Sequence, residues 1–160
     1  SLKSLLDQED FSCASFLLSV LGEGTFIDLL RFIEDVAPDP VTREIVRRAR
    51  VDETRHVHFG MAHIKYLLSR QPQAAEKLIG AVEGRARQLT NVTSVNEHVA
   101  QALIVLAAGG LEPGQLKLAS SRVSELFKQM DENRKKRLTA IGFSEQQASE
   151  ISFLHTPNFM

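Results

Sequence analysis

Among 160 residues there is a single cysteine, Cys13, which excludes a disulfide framework, and no Cys-x-x-Cys pair offers a zinc-ribbon ligand set. A charge excess of either sign is missing too, with 19 Lys and Arg against 20 Asp and Glu. Phosphate recognition needs clustered, uncompensated cations, so no nucleic-acid partner is expected. Long apolar runs are scarce. The longest, Phe16 to Leu30, is broken by Ser19, Glu23 and Asp28 and falls short of the roughly 20 residues that cross a bilayer, so no membrane span is expected. No signal-peptide pattern opens the chain, and one unpaired thiol makes the cytoplasm the expected compartment. Alternating Val/Ile/Thr runs and Asn-Gly or Asp-Gly hairpins are nearly absent, which argues against sheet. Neither a nucleophile elbow nor a phosphate-cradling glycine loop is present.

What is there is helical periodicity in a chain long enough to bury one core without staples. It contains no visible repeat and no low-complexity linker, so residues 1–160 are expected to form a single helical domain. Apolar positions Phe16, Leu17, Val20, Leu21, Ile27, Leu30 and Ile33 predict a long helix from about Asp10 to Val36. The Ala37-Pro38-Asp39-Pro40 turn ends it, because proline lacks an N–H and disfavours helix in the residue before it. A second long helix is predicted over Val41 to Ser69, with Ile45, Val46, Ala49, Phe59, Ile64 and Leu67 as its buried positions, closed by Gln71-Pro72. Shorter helices are predicted over Gln73 to Leu89, Val95 to Ala108 and Gly114 to Ala140, interrupted at Asn91 to Ser94 and Gly109 to Pro113. Gly142 should stop the last of these, Ser144 and Gln147 form a capping box for a final short helix, and the tail from His155 should be irregular.

Three residues stand apart: Glu23, Glu53 and His56. Glu23 sits inside an apolar helical stripe with Phe16, Val20, Ile27 and Leu30, and burial of a lone carboxylate is costly unless it is paired, protonated or metal-bound. Glu53 and His56 form a Glu-x-x-His pair, whose i, i+3 spacing puts both side chains on one helical face about a turn apart. An antiparallel hairpin brings together residues equidistant from its turn. The midpoint of positions 23 and 53 is 38, and Pro38 lies in the predicted turn. Both glutamates thus fall roughly 18–20 Å down the hairpin, at about 1.5 Å per residue.

One Glu plus a Glu-x-x-His from the adjoining helix is half of the ligand set of di-metal carboxylate bundles. The string Asp52-Glu53-Thr54-Arg55-His56 resembles the Asp-Glu-x-Arg-His element of the ferritin-like di-iron proteins, among them the hydroxylase subunits of bacterial multicomponent monooxygenases and the small subunits of ribonucleotide reductase. The resemblance covers about Ser12 to Leu68 and corresponds to the C-terminal half of those proteins. It implies an all-α ferritin-like bundle, or its C-terminal half, with two long antiparallel helices followed by shorter ones. It also implies a dioxygen-activating oxidoreductase holding two iron ions, or manganese and iron. Glu23 and Glu53 would bridge or chelate the metals, and His56 would be a terminal ligand. Asp52 would hydrogen-bond a ligand imidazole and Arg55 would neutralise Asp52. A reductase partner is part of the same expectation, and iron storage is a further activity of the superfamily.

The departure from the family pattern is plain: only Glu53 is followed by His three residues later, so the chain carries half a site. The other half lies on another stretch of polypeptide, or on a second copy, or the metal has been lost. A start at Ser1 rather than Met suits a chain cut from something longer. In the last case the protein is a non-enzymatic helical interaction module of ferritin-like descent.

Other residues read more quietly. His63, two turns past His56, is about 10 Å further along the axis and cannot share its ion. It is expected near the site behind the ligands or in the core, and a zinc hydrolase built on His56 and His63 fails on that distance unless the helix breaks near Gly60. His58 points away from His56. Gly22 and Gly24, each costing about 1 kcal/mol relative to Ala in a helix interior, call for room beside the metals or for close approach of another helix. Arg43, Arg47, Arg48 and Arg50 read as a solvated face, as do Lys135, Lys136 and Arg137. Glu97 and His98 diverge by about 100° on a helix, and Cys13 is expected to be a buried, inert thiol.

Overall fold

The computed structural model describes residues 10–89 and 95–155, all helices and the turns between them. Among these residues six helices follow in chain order. The first, α1, runs Phe11–Val36 in three stretches: α-helical over Phe11–Ser15, π-helical over Phe16–Glu23 and α-helical again over Gly24–Val36. Then come α2 (Pro40–Arg70), α3 (Ala74–Leu89), α4 (Val95–Ala108), α5 (Pro113–Ile141) and α6 (Glu145–His155). The expected break at Asn91 to Ser94 and the tail beyond His155 lie outside the described residues, while His155 itself is the last residue of α6.

Local chemistry sets these ends. The Asp10 carboxylate accepts the Cys13 N–H at 2.8 Å and caps α1. Asp39 accepts the N–H groups of Val41 and Thr42, with Pro40 in the first turn of α2, where a missing N–H costs nothing. At the far end Gly142 takes the left-handed conformation (φ 119°) that stops α5. Ser144 and Gln147 then exchange side-chain hydrogen bonds with each other's backbone N–H, the reciprocal box that opens α6.

The helices form a bundle in which α1 packs along α2, α4 along α5, and α6 against α3 and α5. Two apolar clusters fill it. The larger joins Phe16, Leu17, Val20 and Leu21 of α1 to Ile64 and Leu68 of α2, Leu78 and Val82 of α3, Leu138 and Ile141 of α5, and Ala148 and Ile151 of α6. The smaller joins Leu29 of α1 to Leu103 of α4 and to Val123, Leu126 and Met130 of α5. Between them α1 and α5 carry a polar belt: Thr25, Asp28 and Arg134, all buried, with Ser152 of α6 alongside.

Three expected core positions of α2 are on the surface instead: Ile45, Ala49 and Phe59. α2 meets α1 along one side only, and its opposite side has no helix over it among the described residues. Phe11, Leu18, Phe26 and Tyr66 are exposed as well, so the α1–α2 pair presents apolar side chains outward. By length and composition the run Phe11–Val36 could cross a membrane, contrary to the expectation from Phe16 to Leu30 alone. Half of its most apolar window is buried within the bundle, as in the core helix of a globular protein.

Candidate metal centre

Glu23 ends the π-helical stretch of α1, and Glu53 and His56 stand one turn apart on α2. Close approach of the two helices brings them together. A Cβ on Gly60 would lie 2.6 Å from the Cβ of Ser19, so the α1–α2 seam is as tight as it is only because residue 60 has no side chain. The π stretch gives i→i+5 hydrogen bonding and one extra residue in the turn, a feature that recurs at functional positions in helices. Its widened backbone shows at Gly22, where a Cβ would sit 3.3 Å from the carbonyl oxygen of Leu17, five residues back.

In the resulting cluster the His56 Nδ1 lies 3.4 Å from Glu53 Oε2 and 3.8 Å from Glu23 Oε1. One ligand atom from each of the three falls within 4.8 Å of the others. Glu23 is the most enclosed, its side chain 21 % exposed against 33 % for Glu53 and 59 % for His56. Its second oxygen, Oε2, is buried and has no hydrogen-bond partner. Two ionised carboxylates offer acceptors only, so their juxtaposition leaves an excess of negative charge with one imidazole to offset it. A cation is what this donor set lacks.

The neighbouring residues divide. Asp52 pairs with Arg55 at 2.9 Å, on the exposed side of α2, and that guanidinium is its hydrogen-bond partner in place of an imidazole. His63 is apart from the triad: its Nε2 is 3.0 Å from Ser12 Oγ, and its ring lies edge-on to Phe11 with centroids 5.1 Å apart. Helix α2 continues unbroken through Gly60, which keeps His56 and His63 on separate turns. His58 is exposed, as are Glu97 and His98. The basic stretch at the start of α2 is engaged, Arg43 with the Glu34 carbonyl, Arg47 and Arg48 with Glu44 and Arg50 with the Glu34 carboxylate. Cys13 is buried, and burial pushes its thiol up to about 11.

A further expectation is overturned. Arg137 is not part of a solvated charge run: its side chain is 14 % exposed and turns inward toward Asp28 and the backbone of Gly24, where a Cβ would meet the guanidinium at 2.9 Å. The close neighbour of Gly24 is therefore an arginine of α5. Position 137 follows Met130 by two turns and Arg134 by one, so it belongs to the inward face of α5. That spacing was visible in the sequence and was masked by the two lysines before it. Comparison with protein-family models, with curated proteins and with solved structures finds no match.

Proposed function

We propose that Glu23, Glu53 and His56 form one wall of a di-metal carboxylate centre, iron or manganese and iron, and that the protein is a dioxygen-activating oxidoreductase of ferritin-like type. The observation that carries this reading is the convergence of three ligand atoms within 4.8 Å, with the buried Glu23 Oε2 left unpartnered. A buried acceptor without a donor costs about 1–3 kcal/mol, and a bound cation removes that cost. Oxygen and imidazole donors suit iron and manganese, which when bound supply the one- and two-electron chemistry of oxygen reduction.

The chain's own residues have definite tasks here. Glu23, held by the π turn, and Glu53 present carboxylates from opposite walls of the seam. The His56 ring is turned with Nδ1 toward both carboxylates. Val20 and Leu21, fully buried in the π stretch just before Glu23, keep water from the inner side of α1 there. A complete centre of this kind needs a second Glu and a second Glu-x-x-His, contributed by a further helical pair from a longer polypeptide or a second copy, laid over the exposed side of α1 and α2.

The test is elemental analysis with an absorption spectrum after anaerobic loading with Fe(II). Retention of about one to two metal equivalents, lost in Glu53→Ala, supports the reading. Absence of bound iron and manganese also in the assembly that supplies the second Glu and Glu-x-x-His, or equal retention in Glu53→Ala, overturns it. A second reading rests on the exposed Phe11, Leu18, Phe26 and Phe59 of the same two helices: a helical interaction module that holds no metal, in which the face serves only to bind a partner. It predicts full partner binding in Glu53→Ala.

A further inference from the structure

The triad stands at the edge of an apolar surface that no other helix covers among the described residues. Of the six exposed aromatic side chains there, four belong to the α1–α2 pair: Phe11, Phe26, Phe59 and Tyr66. The surface is continuous from one helix to the other. The His63 ring of α2 meets Phe11 of α1 at 5.1 Å between centroids and lies nearly parallel to Phe59 at 6.5 Å. A patch of this kind marks an interface.

The register of the patch says what covers it. Ile45, Asp52, Phe59 and Tyr66 recur every seven residues and form one exposed line along α2. Positions 45 and 66 have their midpoint between Arg55 and His56, and so do positions 52 and 59. The line is therefore centred on the turn that carries Glu53 and His56. A two-fold axis at that level, perpendicular to α2, lays the line antiparallel on its own copy. Ile45 then faces Tyr66 across the axis, and the triad faces a second triad. An isologous interface requires this self-complementarity, whereas a partner of unrelated sequence does not.

The donor set has the same symmetry. A di-metal carboxylate centre is made of two equal halves, each a Glu and a Glu-x-x-His. Glu23, Glu53 and His56 are one such half, so a second copy completes the set with no ligand left over. The charge closes as well: imidazole binds metal in its neutral form, and four carboxylates balance two divalent cations. Without the ions, the same carboxylates repel one another across the axis.

We propose that a second copy of this chain covers the α1–α2 face about a two-fold axis at the level of the triad and lends its own Glu23, Glu53 and His56 to one shared di-metal centre. This rests on the di-metal reading above and names its partner. Ile45, Phe59 and Tyr66 supply the apolar contact around the centre, and the metal links the two copies. Metal binding and association therefore strengthen each other.

The full chain, stripped of metal with a chelator, is followed by sedimentation velocity from about 1 to 100 μM, with and without anaerobic Fe(II). Fe(II) should tighten self-association at least about tenfold and give a dimer with about two ions. Glu53→Ala should abolish that tightening. Phe59→Glu should weaken the loaded dimer at least about tenfold, while Phe153→Glu, exposed on α6, should leave it unchanged; circular dichroism verifies that each variant is folded. The two readings fail separately. A monomer that holds two ions overturns the proposal and leaves the di-metal reading standing, with the other ligands supplied from elsewhere. A chain that stays monomeric and binds no iron overturns the proposal alone, and a dimer that binds no iron overturns both. A dimer equally tight with and without Fe(II), or one that a folded Phe59→Glu leaves intact, also overturns the proposal.

Discussion

Glu23 and Asp28 stand within two turns of each other on α1, yet they belong to opposite electrostatic worlds. Glu23 opens on the α1–α2 seam, among acceptors, beside a half-exposed His56. Asp28 faces inward among Asn133, Arg134 and Arg137, where donors predominate. The first cluster is unbalanced but wet on one side, so water and ions can screen it. The second is unbalanced and sealed, and its imbalance has to be met by bonds within the fold or by a bound group. Exposure therefore decides which of the two the fold depends on. Charges in the open cluster are free to serve chemistry, whereas those of the closed belt hold α1, α5 and α6 together.

The largest expected difference follows from that. Arg134→Ala removes the donor that links Ser152 to Thr25 and leaves buried acceptors on both sides, which should cost about 3–5 kcal/mol in urea unfolding. Arg134→Met, which fills the same volume without charge, should recover much of this, since buried ion networks are often replaceable by well-packed apolar groups. A loss below about 1 kcal/mol in Arg134→Ala would show that the belt is dispensable and erase the contrast.

The open cluster was legible in the sequence and the closed one was not, for a reason of sequence distance. Glu53 and His56 are related by helical spacing, and Glu23 by reflection through one turn at Pro38, so local rules suffice to place them. Likewise Pro40, Gly142 and the Ser144–Gln147 box mark helix ends through bonds spanning a few residues. The belt depends on Arg134 meeting Thr25 and Asn133 meeting Asp28, contacts more than a hundred residues apart. No periodicity encodes them. The π stretch was hidden because Phe16, Leu17, Val20 and Leu21 lie inward in either helical form. Ile45 and Phe59 misled because an apolar stripe says that a face seeks burial, not that a neighbour is there to provide it.

Acidification should separate the two regions next. Burial and the three nearby guanidinium groups hold the His155 imidazole far below its ordinary value of 6.5, at about 3. A base with a depressed folded-state pKa binds its proton more readily when unfolded. Its contribution is thus complete above about pH 6.5 and is lost progressively as the pH falls toward 3. Unfolding free energy should decline between pH 7 and pH 5, and His155→Gln should flatten that decline while His56→Gln leaves it in place. A slope unchanged in His155→Gln would place the acid sensitivity elsewhere.

The smallest effect is expected at the triad itself. Glu53→Gln keeps the shape of the side chain and removes one of two carboxylates that face each other across the seam. In metal-free protein it should change stability by no more than about 0.5 kcal/mol, because a partly exposed charge is solvated in both states and its loss relieves repulsion with Glu23. Thermal unfolding with and without Fe(II) makes the measurement specific. The wild type should gain stability with the ion, as any ligand selective for the folded state confers, and Glu53→Gln should gain less. If the variant proves strongly destabilised without metal, the triad is a structural joint like the belt, and its openness to solvent does not mark it for chemistry.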